Sequence, residues 1–188
     1  LSLGVAHAAD ENAECWLGFV SSPQFDEQVR EIHLSSGVRA IVVAPSTAQF
    51  ADDRRAHLLI YTTPNGNTAE QTLGCGQAEG RDWHYYIQHV AAQARKFRNE
   101  HPEENLVVAC LQPDNRSWPT WRKTRPAADE RIKEIVDSLV LTLPTSDVRV
   151  TLACHSGGGS FLFGYLNAVE AVPEEIERIA FLDANYGY

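Results

Sequence analysis

A chain of 188 residues with a 44% apolar share can bury one real core and suits a single domain. The net charge of −9 argues against a nucleic-acid backbone as partner. No apolar run is long enough to span a membrane.

With no methionine anywhere, the chain is not expected to begin at its natural start. Residues 1–9, Leu-Ser-Leu-Gly-Val-Ala-His-Ala-Ala, read as the tail of a secretory signal, with Ala6 and Ala8 as the small residues before a cleavage point. The competing reading is a short disordered or cloned N-terminus. On the signal reading the protein is exported, secreted or periplasmic, and residues 10–188 form one domain. Its four cysteines would then meet an oxidising compartment. Cys110 and Cys154 fall in expected buried strands and read as core thiols. Cys15 and Cys75 fall in expected surface segments and are the better disulfide candidates. The spacings resemble no zinc site, and neither a metal nor a cofactor is expected.

Residues 10–26 read as irregular, anchored by Trp16, Leu17 and Phe19. Two strand-like runs, 29–34 and 38–44, flank Ser35-Ser36-Gly37 and predict a hairpin. Residues 57–63, His-Leu-Leu-Ile-Tyr-Thr-Thr, form a nearly continuous apolar strand of the kind buried on both faces. It runs into Pro64-Asn65-Gly66-Asn67-Thr68. Glycine and asparagine tolerate left-handed backbone, so this turn can aim a main-chain N–H into a site; the bland alternative is an ordinary surface turn.

The pattern over 81–99 predicts a helix with Trp83, Ile87, Val90, Ala91, Ala94 and Phe97 in its apolar stripe; His84 and His89 read as helix-surface or core-edge residues. A short strand is expected at 106–111. The loop 112–126, with Trp118 and Trp121 among three prolines, is consistent with a pocket wall or with packing. An amphipathic helix follows at 127–141, and a last strand at 176–182 closes on Asp183. A hairpin followed by alternating strands and helices argues for an α/β fold: a mostly parallel sheet, covered by helices on both faces, that begins with an antiparallel hairpin.

The most informative stretch is 148–163. Val148, Val150 and Leu152 alternate with polar residues and lead into Ala153 and Cys154, as a strand entering a core does. His155-Ser156 and three glycines follow, and then Phe161, Leu162, Tyr165, Leu166 and Val169 recur at helical spacing. A strand, a tight turn carrying one serine and a helix make a nucleophile elbow. A serine there sits in strained backbone, needs small neighbours, and has the helix N-terminus behind it to stabilise an oxyanion. Cys154 stands where the usual Gly-x-Ser-x-Gly pattern has its first glycine. The alternative is a glycine-rich phosphate loop. No Gly-Lys-Ser/Thr follows, and Leu162 holds the third glycine position of the dinucleotide pattern.

On these motifs, residues 29–183 resemble the α/β-hydrolase fold family, of the serine esterase and lipase type. The resemblance implies Ser156 as nucleophile, and the N–H of Gly157 with one N–H near Asn65 or Gly66 as oxyanion hole. It implies Asp183 as a candidate triad acid, with capping of the following turn as the other reading. Many members carry a His-Gly pair where this chain has Pro-Asn-Gly-Asn. His155 should point away from the serine. The family order is Ser, acid, His, and no histidine follows His155. The chain is therefore expected to be a fragment lacking the C-terminal strands and the base, and nearly inactive by itself. The implied function is cleavage of a small-molecule or polymer ester or amide through an acyl-enzyme. A non-catalytic binding module on the same fold, or a doubly wound phosphate-binding domain, are the alternatives.

Overall fold

A computed structural model describes residues 15–34, 36–74 and 88–184. The expected signal remnant, Cys75, His84, the first part of the helix expected over 81–99 and the end of the turn after Asp183 lie outside the described residues.

Seven strands form one sheet in the order β1-β2-β3-β5-β4-β6-β7. They are β1 (Val20–Ser21), β2 (Glu27–Leu34), β3 (Val38–Pro45), β4 (Ala56–Thr62), β5 (Asn105–Pro113), β6 (Val148–His155) and β7 (Ile176–Leu182). β2 and β3 make the expected hairpin, Leu34 opposite Val38, and β3 joins β5 antiparallel. From β5 onward the pairings β5–β4, β4–β6 and β6–β7 are all parallel. The helices are α1 (Ala69–Leu73), α2 (Val90–Glu100), α3 (Trp118–Thr124), α4 (Ala128–Val140) and α5 (Gly159–Ala168). Among the described residues no helix is long and apolar enough to cross a membrane.

The period-2 alternation of the strands divides the core in two. Ala40, Val42, Leu58, Ile60, Val107, Ala109, Val150 and Leu152 face α3, α4 and α5. Their neighbours Val43, Tyr61, Val108, Cys110 and Ala153 face α1 and α2. Helices thus cover both sides, and the central strands are buried on both.

Several elements differ from the sequence reading. α2 starts at Val90, because His89 before it is in left-handed backbone with φ 68, which a right-handed helix does not continue through. The loop expected over 112–126 contains α3, with Pro119 in its first turn, where proline's fixed φ suits a helix start. Trp118 and Trp121 are 1% and 0% exposed, which makes them packing residues: Trp118 stands edge-on to Phe161 at 4.8 Å, and Trp121 Nε1 donates to Ser36 O at 2.8 Å. The two-residue β1 lies in the segment expected to be irregular.

Candidate active site

The strand order reverses direction at β4: the chain leaves β4 for β5 on one side, then crosses to β6 on the other. A crevice opens at the carboxyl ends of strands at such a switch point. Thr62 and Cys154 are register partners there, so the loop after β4 and the turn after β6 emerge side by side although about ninety residues separate them.

Ser156 occupies the junction between β6 and α5, in a 3-10 turn Ser156–Gly158 that leads straight into the helix. Its φ is 52, the left-handed region that costs a non-glycine residue on the order of 1 kcal/mol or more. The strained serine expected of an elbow is present as backbone geometry. The glycines after it are needed for close approach. A Cβ on Gly157 would overlap the Asn65 carboxamide, and one on Gly158 would come within 2.6 Å of Thr62 Oγ1 and 2.7 Å of Thr62 O. Thr62 Oγ1 also donates to Gly158 O at 3.1 Å, which ties the β4 end to the elbow.

Cys154 lies on the α5 side of β6, fully buried, and burial pushes its thiol up to about 12. Its side chain is accommodated where the usual pattern has glycine. His155 is 3% exposed and belongs to the opposite face of β6, next to Leu182 of β7. Burial holds its imidazole below the usual histidine value, and the Asp183 charge acts in the opposite sense. Asp183 itself is exposed, has φ 46, and follows the last residue of β7. The next residue closes on the elbow, since a Cβ on Gly159 would stand 2.6 Å from Ala184 O. The structure therefore brings Ser156, Gly157, Asn65 and Asp183 to one edge of the sheet.

Gly66 is placed differently from its expected role. Its φ is 83, as the turn requires, but its N–H donates to Arg116 O at 2.8 Å. The Asn67 N–H donates to Pro64 O at 3.3 Å. Of the main-chain donors in 65–67, the Asn65 N–H makes no hydrogen bond among the described residues. The correction has a physical cause: the β5 loop, where Arg116 is itself left-handed at φ 52, approaches β4 and takes up Gly66.

The sequence reading also missed what holds this loop. Thr68 and Gln71 form a capping box at the start of α1. Arg39 grips Glu70 through two hydrogen bonds of 2.7 and 2.8 Å, and its second nitrogen also reaches Gln112 Oε1 at 3.0 Å. Gln112 Oε1 in turn accepts the Ala69 N–H at 2.8 Å. The Arg39 guanidinium holds the Glu70 carboxyl down at about 2. The spacing Thr68-x-x-Gln71 signals the box in sequence; nothing local signals Arg39 or Gln112. Among the described residues, no group of three or more His, Cys, Asp and Glu side chains could hold a metal ion.

No protein-family model matches the chain, and no curated protein matches it in sequence. Solved structures do resemble it. An S-formylglutathione hydrolase from Agrobacterium tumefaciens superposes with a TM-score of 0.53 and 13% identity, over 89% of this chain and 61% of its own. A thermostable esterase gives 0.48 and 16% over 75% of this chain and 37% of its own. A siderophore hydrolase from Aspergillus nidulans gives 0.46 and 18% over 84% of this chain and 55% of its own. The chain thus spans less than two thirds of the length of each.

Proposed function

On the premise that the chain has the α/β-hydrolase fold, we propose that the full-length protein is a serine hydrolase cleaving an ester or amide through an acyl-enzyme on Ser156. The observation that carries this reading is the left-handed Ser156 at the β6–α5 junction, beneath the Asn65 loop at the switch point of the sheet. Strain of this kind persists where the surroundings over-determine it, and it exposes a hydroxyl above the sheet edge.

In this mechanism Ser156 Oγ attacks the substrate carbonyl and gives up its proton to a histidine base. The N–H of Gly157, at a helix start where intrahelical acceptors are lacking, and the N–H of Asn65 hold the negative oxygen. The tetrahedral intermediate collapses, the leaving alcohol or amine takes the proton, and water then releases the acyl group. His155 does not suit the base, because it is buried on the far side of β6; the base is proposed to come from chain beyond residue 188. Asp183 is proposed as the acid, positioned at the same edge. Export and an N-terminal signal remnant belong to the same proposal. So do a small-molecule or polymer substrate and the absence of a cofactor.

The test is labelling of the folded full-length protein with a reactive fluorophosphonate. Adduct on Ser156 in the wild type and none in Ser156→Ala is the expected result. A folded wild type that hydrolyses no ester and takes no label would leave the binding-module reading in its place.

A further inference from the structure

We infer that the side chain of Asn65, in addition to its main-chain N–H, donates a hydrogen bond to the oxyanion, so that one residue of the β4 loop supplies two donors. This rests on the serine-hydrolase reading above.

The first ground is position. The Asn65 carboxamide fills the space a Cβ on Gly157 would need: Oδ1, Cγ and Nδ2 would all overlap it. The Gly157 amide nitrogen is bonded to the same Cα, so the carboxamide stands beside the N–H that faces the developing charge. The second ground is availability. The side chain is exposed and makes no hydrogen bond among the described residues, whereas Gly66 and Asn67 have their N–H groups committed to Arg116 O and Pro64 O. An asparagine amide carries two N–H donors, and its last torsion is soft, so Nδ2 can turn toward an oxygen without leaving its rotamer. The third ground is preorganisation. The capping box, the Arg39–Glu70–Gln112 network and the Gly66–Arg116 bond fix both sides of Asn65 before substrate arrives. With its main chain already fixed beside the reacting centre, the Asn65 donor needs only a turn of its last torsion when charge forms, so little reorganisation is left to the step.

The competing role is steric, with Asn65 merely packing on Gly157. Three variants of the full-length protein separate the two: Asn65→Leu keeps the bulk without a donor, Asn65→Ala removes both, and Asn65→Asp keeps the shape and replaces the donor by a charge. The readouts are kcat and KM on a nitrophenyl ester, the rate of Ser156 phosphonylation, and the urea midpoint. Expected is a fall in kcat on the order of 100-fold for Leu and Ala alike, with KM little changed and a still larger fall for Asp. Phosphonylation should slow in parallel, and urea midpoints should stay near wild type because the site is exposed. Wild-type kcat in Asn65→Leu overturns the inference, whether or not Asn65→Ala is impaired. A wild type that takes no label overturns it as well, by removing the reading beneath it; the two failures are told apart by the wild-type lane alone.

Discussion

The two faces of the sheet are built from alternate residues of the same strands, yet they are finished differently. On the side of α3, α4 and α5, Trp118, Trp121, Phe161 and Tyr165 are at most 1% exposed and fill the space between helices and sheet. On the side of α1 and α2, four of the ten buried residues described are alanines, Ala69, Ala91, Ala94 and Ala153. Among the described residues a groove of about 410 Å³ lies there between α2 and the β6–β7 edge, with Phe97 and Leu182 both 39% exposed at its rim. The difference bears on the candidate site. Ser156 leads into α5, which packs against the closed face, whereas the Asn65 loop leads into α1 on the open one. The nucleophile is anchored in close-packed core, and the loop that faces it depends on polar ties.

The sharpest way to break this comparison uses two neighbours in one strand. Leu58 is 1% exposed and faces the closed side; Leu59 is partly buried and borders the groove. Leu58→Ala should cost about 2–5 kcal/mol in urea unfolding, because a cavity in close-packed core collapses only partly. Leu59→Ala should cost less than half of that, since part of its surface already meets solvent. Equal losses would mean that both faces are equally packed in solution and that the groove is not open.

How much of this was legible in the sequence follows the range of the forces involved. The strands 38–44, 57–63 and 148–154 announce themselves by apolar alternation or by apolar runs, which are local. So does the elbow, because serine and three glycines between a strand and a helix leave few other geometries. α1 has a legible capping box in Thr68 and Gln71 but only five residues of pattern behind it. α3 was hidden by its own proline, which favours a first helical turn as much as a loop. The left-handed His89 that starts α2 has no sequence signal at all. The fate of the Gly66 N–H could not be read either, since its acceptor is fifty residues away in sequence and the contact exists only once β4 and β5 are paired.

The polar ties of the loop give a smaller effect with a defined pH dependence. Glu70 has its carboxyl held at about 2, below its ordinary 4.5, by Arg39. A depressed folded value means that the pair stabilises fully above the ordinary value and loses this contribution as pH falls from about 4.5 toward 2. The glutamate is 33% exposed, so solvent screening reduces the net contribution to about 1 kcal/mol. Glu70→Gln should therefore lie about 1 kcal/mol below wild type in urea at about pH 7, with the gap closing at about pH 3. A gap that stays constant with pH would place the loss elsewhere than in the ion pair. In the full-length protein the same variant should lower kcat, because α1 and the Asn65 loop share this anchor.

The smallest effect concerns one atom on the open face. Tyr61 is 4% exposed and its hydroxyl has no hydrogen-bond partner among the described residues, while burial raises its ionisation above the ordinary range. A buried hydroxyl without a partner costs about 1–3 kcal/mol, so taking it away should cost nothing. Tyr61→Phe is expected to match the wild-type urea midpoint or exceed it by up to about 1 kcal/mol. That outcome would make the groove floor dry apolar surface, open in shape but not to water. A loss of about 1 kcal/mol or more would mean that the hydroxyl does find a partner, and the groove that Tyr61 lines is where water reaches it. The two faces would then differ in hydration as well as in packing, and the loop rooted in α1 would be flanked by wet core on one side and by the dry elbow on the other.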